Sequence, residues 1–180
     1  MKNRIGSASV AQIAPLASQI AGRDFELPVS GPAGTREAQL TGGHVFGISP
    51  HGRHFLYWKD GDVWDYRVGE NRHVNVTESS PVEFTDAEFD YFGEKPPYGV
   101  AGYTKDGRAV ILEHRYDLWQ VPFDGGRAKN LTAGMGSEHA IEFRLVRLDP
   151  EERFVDLAQP QLLTAFGKLT KKAGFYRLEA

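Results

Sequence analysis

The stretch from Gly47 to Thr77, GISPHGRHFLYWKDGDVWDYRVGENRHVNVT, decides the fold, because it recurs without a gap 55 residues later as GYTKDGRAVILEHRYDLWQVPFDGGRAKNLT. Identical residues stand at matching positions in the two copies: Gly47/Gly102, Gly52/Gly107, Arg53/Arg108, Asp62/Asp117, Trp64/Trp119, Arg72/Arg127, Asn75/Asn130 and Thr77/Thr132. Apolar character is kept at Leu56/Ile111, Val63/Leu118 and Val76/Leu131. Self-similarity at a fixed period of this length indicates a repeat protein.

Each copy predicts four short antiparallel strands. The first two are joined by a tight turn that contains Gly52 in one copy and Gly107 in the other, since glycine adopts the positive φ that such turns need. The segments after the turns are rich in β-branched and aromatic residues and too short for a helix. We predict second, third and fourth strands over 54–58, 62–67 and 73–77, and over 109–113, 117–121 and 127–132. Four antiparallel strands per repeat are typical of a β-propeller blade.

The fold expected for the chain is all-β, a partial β-propeller of about three four-stranded blades that does not close, because closed propellers have roughly four to eight blades. We divide it into an irregular lead-in (1–23), the end of a preceding blade (24–41), a blade (42–78), an acidic and aromatic insertion (79–97), a second blade (98–133) and an incomplete blade that lacks its outer strand (134–180). Residues 1–22 have a basic start and a small-residue tract, so a cleaved signal peptide remains the alternative to an irregular lead-in.

Composition excludes several classes of function. With 21 Lys and Arg against 24 Asp and Glu, dispersed along the chain, there is no basic footprint for a nucleic acid. The N-terminal tract is too short and too polar to span a bilayer, so we predict a soluble protein that binds no membrane, cytoplasmic or periplasmic. The absence of cysteine rules out disulfides and thiolate chemistry without identifying the compartment. An unclosed set of blades also leaves a sheet edge without a partner, so we expect the isolated chain to self-associate.

Five sequence motifs indicate which family of propellers the chain resembles: RYDLWQV (115–121), DGG (124–126), NLT (130–132), PPYGVAGY (96–103) and RLDPEER (147–153). From about Leu40 to its C-terminus the chain resembles the propeller of the prolyl oligopeptidase family of serine peptidases. The resemblance implies a propeller that restricts entry of oligopeptide substrates to a downstream α/β-hydrolase domain. The turn and Trp motifs are shared with TolB-like propellers, so a protein-binding or peptide-binding module without enzymatic activity is the alternative.

No catalytic residue is predicted in this chain. A nucleophile elbow needs Gly-x-Ser-x-Gly on a sharp turn, and no Ser has that context. The nearest string, Gly134-Met135-Gly136-Ser137, displaces the Ser and lacks the following Gly. The resemblance therefore implies that any peptidase activity belongs to the parent protein and that the chain itself is inactive.

Other groups of polar residues resemble catalytic or metal sites, but a structural role explains each of them more simply. A triad drawn from His114, Arg115, Asp117, Ser137 and His139 is conceivable, but the 114–116 string reads as a turn between strands with a packing or hydrogen-bonding role. A metal at His51 and His54 lacks a third ligand, and Ca²⁺ at Asp86, Glu88 and Asp90 lacks a Gly-turned loop. We predict no cofactor and no metal. The alternatives for the acidic insertion are a solvated loop and a loop that steers the termini of a substrate.

The repeat itself supplies the residues that we expect to define the blade: Gly52, Trp64, Thr77, Gly107, Asp117, Trp119 and Thr132. Because Trp64 and Trp119 recur at one position, we expect both to pack one blade on the next. Arg115 and Arg127 either bind a peptide carboxylate or form ion pairs within the protein.

Overall fold

The computed structural model describes residues 44–92 and 95–180, together with the backbone of 25–29 and 38–42. The chain divides into two compact units, Met1–Asn75 and Val76–Ala180. The predicted lead-in, residues 31–34 of the predicted preceding blade and Glu94 of the insertion lie outside the described residues.

The first unit contains a two-stranded and a four-stranded antiparallel sheet. Strands β1 (Phe25–Val29) and β2 (Ala38–Gly42) pair with each other where the sequence predicts the end of a preceding blade. The four-stranded sheet runs in the order β3-β4-β5-β6, with bounds His44–Ile48, His54–Lys59, Asp62–Arg67 and Arg72–Asn75.

The second unit contains a four-stranded sheet, a five-residue helix and a three-stranded sheet. The four-stranded sheet consists of β7 (Gly99–Tyr103), β8 (Ala109–Glu113), β9 (Leu118–Pro122) and β10 (Lys129–Asn130). Helix α1 (Met135–His139) leads into the three-stranded sheet of β11 (Ile141–Leu145), β12 (Gln161–Gly167) and β13 (Ala173–Leu178). Each of the three larger sheets is an open antiparallel meander, so the fold is all-β and of the partial-propeller type predicted from the sequence.

The two sequence copies share the bulge of the first strand and the hydrogen bond that closes the turn after it. Each first strand carries a bulge at the same place, between Val45 and Gly47 and between Val100 and Gly102. The turn of the first copy is closed by a bond from Ser49 N–H to His54 O (2.7 Å), and that of the second by a bond from Thr104 N–H to Ala109 O (3.0 Å). Gly52 and Gly107 have φ values of 71° and 68°, which explains why both copies have glycine there.

The outer strands are shorter than predicted. Strand β6 ends at Asn75, before Thr77, and β10 includes only Lys129 and Asn130 of the predicted 127–132. In the second copy the side chain of Asn130 accepts the N–H of Thr132 (2.9 Å), and the Thr132 hydroxyl turns inward to Asp117 (2.6 Å). A side chain that bonds its own backbone two residues on competes with the ladder, and this ends the strand.

The core of the second unit lies between its two sheets. Ile111 and Leu118 of the four-stranded sheet pack with Phe143 and Leu163 of the three-stranded sheet, and all four side chains are buried. Val155, in the long β11–β12 connection, completes the cluster. The sheets therefore stack face to face, as blades do.

Candidate functional site

The insertion folds back on itself at one end of the second unit. Its two ends are joined by a bridge between Thr85 and Pro97 and by a bond from the Tyr98 N–H to the Phe84 carbonyl (3.0 Å). The Tyr98 hydroxyl accepts the N–H of Ala87 (3.1 Å). An antiparallel meander brings the connection into β7, the β8–β9 turn and the β12–β13 turn to the same end. We call this end, formed by 84–92, 95–98, 113–117, 142–144 and Lys168, the loop end.

An aromatic contact anchors the insertion. The Phe84 side chain is 3% exposed and meets the His114 ring edge to face at 6.4 Å, while the Tyr98 ring lies 5.6 Å from it. Burial lowers the pKa of His114, and the nearby Arg115 and Arg144 lower it further against the opposing effect of Asp117. The His114 ring is therefore neutral at physiological pH and packs as an aromatic.

Six charged side chains alternate in sign across the loop end. The contacts are Arg115–Glu88 (2.7 Å), Lys168–Glu88 (3.3 Å), Lys168–Glu142 (3.4 Å), Arg144–Glu142 (2.8 Å) and Arg144–Glu113 (3.5 Å). These residues come from the insertion, the end of β8, the β8–β9 turn, β11 and the segment after β12. Three cations and three anions make the network neutral as a whole.

Glu88 holds the insertion end of this network. Hydrogen bonds from Arg115 and Lys168 lower the pKa of its carboxyl. At the other end, burial raises the pKa of Glu113, and Arg144 opposes that effect. The arrangement holds two carboxylates, Glu88 and Glu142, each between two cations, so its available chemistry is the binding of carboxylates.

Arg115 lies in this network, whereas Arg127 does not. The sequence left open whether these two residues bind a peptide carboxylate or form ion pairs. Arg115 forms the ion pair with Glu88, and Arg127 is exposed. The partners Glu113, Glu142, Arg144 and Lys168 were not identified from the sequence, since no local pattern indicates contacts between segments so far apart.

Asp117 and Ser137 do come together, but not as a triad. The buried Asp117 carboxylate accepts the Ser137 hydroxyl directly (2.6 Å), so no base lies between them. It also accepts the N–H groups of Gly136 (3.0 Å) and Ser137 (3.1 Å) at the start of α1. His139 is exposed on that helix, 3.9 Å from Glu138. Asp117 and Ser137 therefore have a hydrogen-bonding role at the start of α1.

The electrostatics of Asp117 fit that role. Burial by itself raises the pKa of its carboxyl, but hydrogen bonds from Ser137, Thr132 and the backbone of α1 outweigh burial and lower the pKa overall. Gly136 also contributes to this hydrogen-bonded cluster, and the sequence analysis did not identify it. A Cβ there would lie 2.7 Å from both Asp117 Oδ1 and the Tyr116 carbonyl oxygen.

The histidines and carboxylates considered as metal ligands have other contacts. His54 Nδ1 lies 2.7 Å from the buried Asp65 carboxylate, and His51 is exposed. Asp86 accepts the N–H of Glu88 (2.9 Å). Within 44–92 and 95–180, no three His, Cys, Asp or Glu side chains are grouped closely enough to hold a metal ion.

The repeated tryptophans are half-buried rather than fully buried. Trp64 donates its indole N–H to the Lys59 carbonyl (3.2 Å), and the Lys59 ammonium lies 5.6 Å from the ring centre. The largest fully buried side chain in the described part of the chain is Trp58, which the repeat did not single out because Glu113 replaces it in the second copy. The packing of Trp64 and Trp119 between blades stays a prediction.

A shallow cleft of about 350 Å³ lies at the opposite end of β7. Thr104, Lys105 and Asp156 line it, and the last two form an ion pair of 2.7 Å. Because its charged groups satisfy each other and it is open to solvent, it is the weaker candidate.

Comparison of the chain with protein-family models, with curated proteins and with solved structures finds no match. In the part of the chain that the structure describes, no helix combines the length and apolar character needed to cross a bilayer. The site is therefore interpreted from its own geometry.

Proposed function

We propose that this chain is the non-catalytic, substrate-gating propeller segment of a prolyl oligopeptidase-like serine peptidase that hydrolyses oligopeptides. The proposal is supported by the strings that resemble that family, by the blade-like sheets and by a charged loop end on a rigid sheet scaffold. In this proposal the peptide is handed to an α/β-hydrolase domain of the parent protein, which performs the acyl transfer.

The observation that carries the proposal is the position of Glu88. Its carboxylate lies between Arg115 (2.7 Å) and Lys168 (3.3 Å), where a peptide C-terminal carboxylate would have the same charge and hydrogen-bonding capacity. Arg115, Glu88 and Lys168 are each between 32% and 45% exposed, so solvent reaches the pairs and a competing carboxylate can exchange. Glu88 thus acts as an internal substitute that a peptide terminus displaces.

The test is peptide binding by fluorescence anisotropy, with each labelled peptide prepared once with a free C-terminus and once amidated. Glu88→Gln removes the competing charge, so we expect affinity for the free-carboxylate peptide to rise about tenfold. Arg115→Ala should weaken the same interaction, and Arg127→Ala, which removes an exposed arginine outside the network, should leave it unchanged. Equal affinity for free and amidated peptides in all variants would refute carboxylate recognition.

A TolB-like propeller module that binds proteins or peptides without enzymatic activity is the second candidate. It is supported by the repeated turn and Trp motifs, Gly52/Gly107 and Trp64/Trp119, which TolB-like propellers share. The encoding gene separates the two candidates. A Gly-x-Ser-x-Gly motif encoded downstream of this segment supports the peptidase. A reading frame that ends after the last blade supports the binding module.

A further inference from the structure

We propose that the loop end selects peptides whose last residue carries an apolar side chain, because apolar groups flank the position that a C-terminal carboxylate takes between Arg115 and Lys168. The inference rests on the proposed function, which supplies the carboxylate, and it adds the class of side chain that accompanies it. Tyr91 and Leu169 are the residues that make the selection.

Two exposed apolar side chains stand beside the Glu88–Lys168 ion pair (3.3 Å). Tyr91, which follows Glu88 in the insertion, is 77% exposed, and Leu169, next to Lys168, is 82% exposed. Both stand in connections between strands, the first before β7 and the second in the β12–β13 turn. Exposed apolar groups beside charged ones are typical of a surface that binds a ligand. Each partner of the ion pair thus has an apolar neighbour.

The backbone around Glu88 is fixed, so its carboxylate can leave the cations by side-chain rotation alone. The Asp86 carboxylate accepts the N–H of Glu88 (2.9 Å), and the Asp86 carbonyl accepts that of Phe89 (3.3 Å). The Phe89 ring lies 5.6 Å from the Tyr91 ring and supports it on one side. When Glu88 rotates away, Tyr91 therefore stays in place beside the two cations.

Both cations are held in position as well. The Arg115 guanidinium lies 4.9 Å from the centre of the Tyr116 ring, and the Lys168 N–H donates to the Ala140 carbonyl (2.9 Å). A peptide that binds them through its terminal carboxylate brings the side chain of its last residue to the same place, because both groups are attached to one carbon atom. That side chain then removes apolar surface of the flanking tyrosine and leucine from water, which is favourable.

Nearby carboxylates select against an acidic last residue. Glu142 also pairs with Lys168 (3.4 Å), and Asp90, which follows Glu88 in the insertion, is exposed. A second carboxylate, brought in by a C-terminal aspartate or glutamate, meets these charges and is repelled by them. Discrimination of this kind combines a favourable contact for one ligand with an unfavourable contact for its competitor.

The experiment measures binding of the chain to labelled peptides by fluorescence anisotropy. The peptides are identical except for the last residue, which is phenylalanine, alanine or aspartate, and each is prepared once with a free C-terminus and once amidated. Among the free peptides, we expect the phenylalanine-ended one to bind at least about tenfold more tightly than the alanine-ended one, because part of a large apolar side chain is buried. The aspartate-ended peptide should bind no more tightly than the alanine-ended one.

Variants of the two apolar residues locate the effect. Tyr91→Ala and Leu169→Ala should each lower the preference for phenylalanine over alanine at least about threefold, while affinity for the alanine-ended peptide stays within about twofold. Leu148→Ala is the matched control, since Leu148 is 76% exposed in the β11–β12 connection, outside the loop end. It should leave the preference unchanged.

The outcomes separate this inference from the proposed function. Free peptides that bind more tightly than amidated ones, with equal affinity for all three last residues, overturn the apolar selection and leave carboxylate recognition standing. Equal affinity of free and amidated peptides, or no binding, refutes both together. A preference for phenylalanine that Tyr91→Ala and Leu169→Ala leave unchanged, or that Leu148→Ala lowers as strongly, also overturns the inference, since the peptide then binds through another surface.

Discussion

At the scale of single residues, Asp117 occupies a position that recurs in both copies but forms a hydrogen-bonded cluster specific to the second copy. Its carboxylate accepts four hydrogen bonds, from the Thr132 hydroxyl, the Gly136 N–H, and the N–H and hydroxyl of Ser137. In the first copy, the equivalent Asp62 accepts the side-chain N–H of Asn75 (2.9 Å). In both copies this aspartate lies at the start of the third strand. Asp62 binds a residue of the fourth strand, and Asp117 binds residues that follow the fourth strand.

Asp117→Asn should destabilise the protein by about 3 kcal/mol near neutral pH, because donors that the carboxylate satisfied lose their acceptor in a buried site. The lowered pKa adds a pH signature. A carboxylate with a depressed pKa stabilises the fold above its unfolded value, and that contribution is lost as the pH falls through the folded value. The stability difference between wild type and variant should therefore shrink as the pH falls below about 4.

Urea unfolding at several pH values measures this difference. Asp124→Asn is the control, since Asp124 accepts one backbone N–H at an exposed turn and asparagine can accept it equally well. A loss in Asp117→Asn that is independent of pH would show that the carboxylate charge is not what stabilises the site.

At the scale of elements, the insertion is held mainly by apolar burial. Exposed ion pairs contribute about 0–1 kcal/mol each, and Arg115 and Glu88 are 39% and 45% exposed. Phe84 is 3% exposed, and removing a buried phenylalanine costs about 3–5 kcal/mol. The charged network therefore orients the loop, and the Phe84 contact with His114 fixes it.

We expect Phe84→Ala to destabilise the second unit by about 3 kcal/mol or more and Arg115→Ala by less than about 1 kcal/mol. Denaturant unfolding of the two variants gives these values. Hydrogen exchange should find the Tyr98 amide, which bonds the Phe84 carbonyl, opened by the first change and not by the second. Comparable losses in both variants would mean that the ion pairs stabilise the insertion as strongly as its buried ring.

At the scale of the whole molecule, the three larger sheets repeat one antiparallel design, and no serine of the sequence stands in a Gly-x-Ser-x-Gly motif. The Ser137 hydroxyl donates a hydrogen bond to the Asp117 carboxylate, and Ser137 lies within α1 rather than on a nucleophile elbow. The chain supplies a scaffold and a charged loop end.

Purified chain 1–180 should therefore hydrolyse neither chromogenic peptides nor esters, and no serine should react with a fluorophosphonate probe. Mass spectrometry of the probe-treated protein measures labelling directly, with a known serine hydrolase as the positive control. Stoichiometric labelling at any serine would contradict the structural role assigned to Ser137 and the inactivity predicted here.

The sequence by itself determined the strands and their order, because these depend on local properties that recur in the two copies. Gly52 and Gly107 mark the turns, and the apolar runs after them mark the strands. Only the tertiary structure decided the loop end, where Glu88 meets Lys168 from 80 residues away. It also revealed the burial of Trp58 and the close approach at Gly136. Contacts between distant segments depend on how sheets stack, and neither periodicity nor turn chemistry encodes that stacking residue by residue.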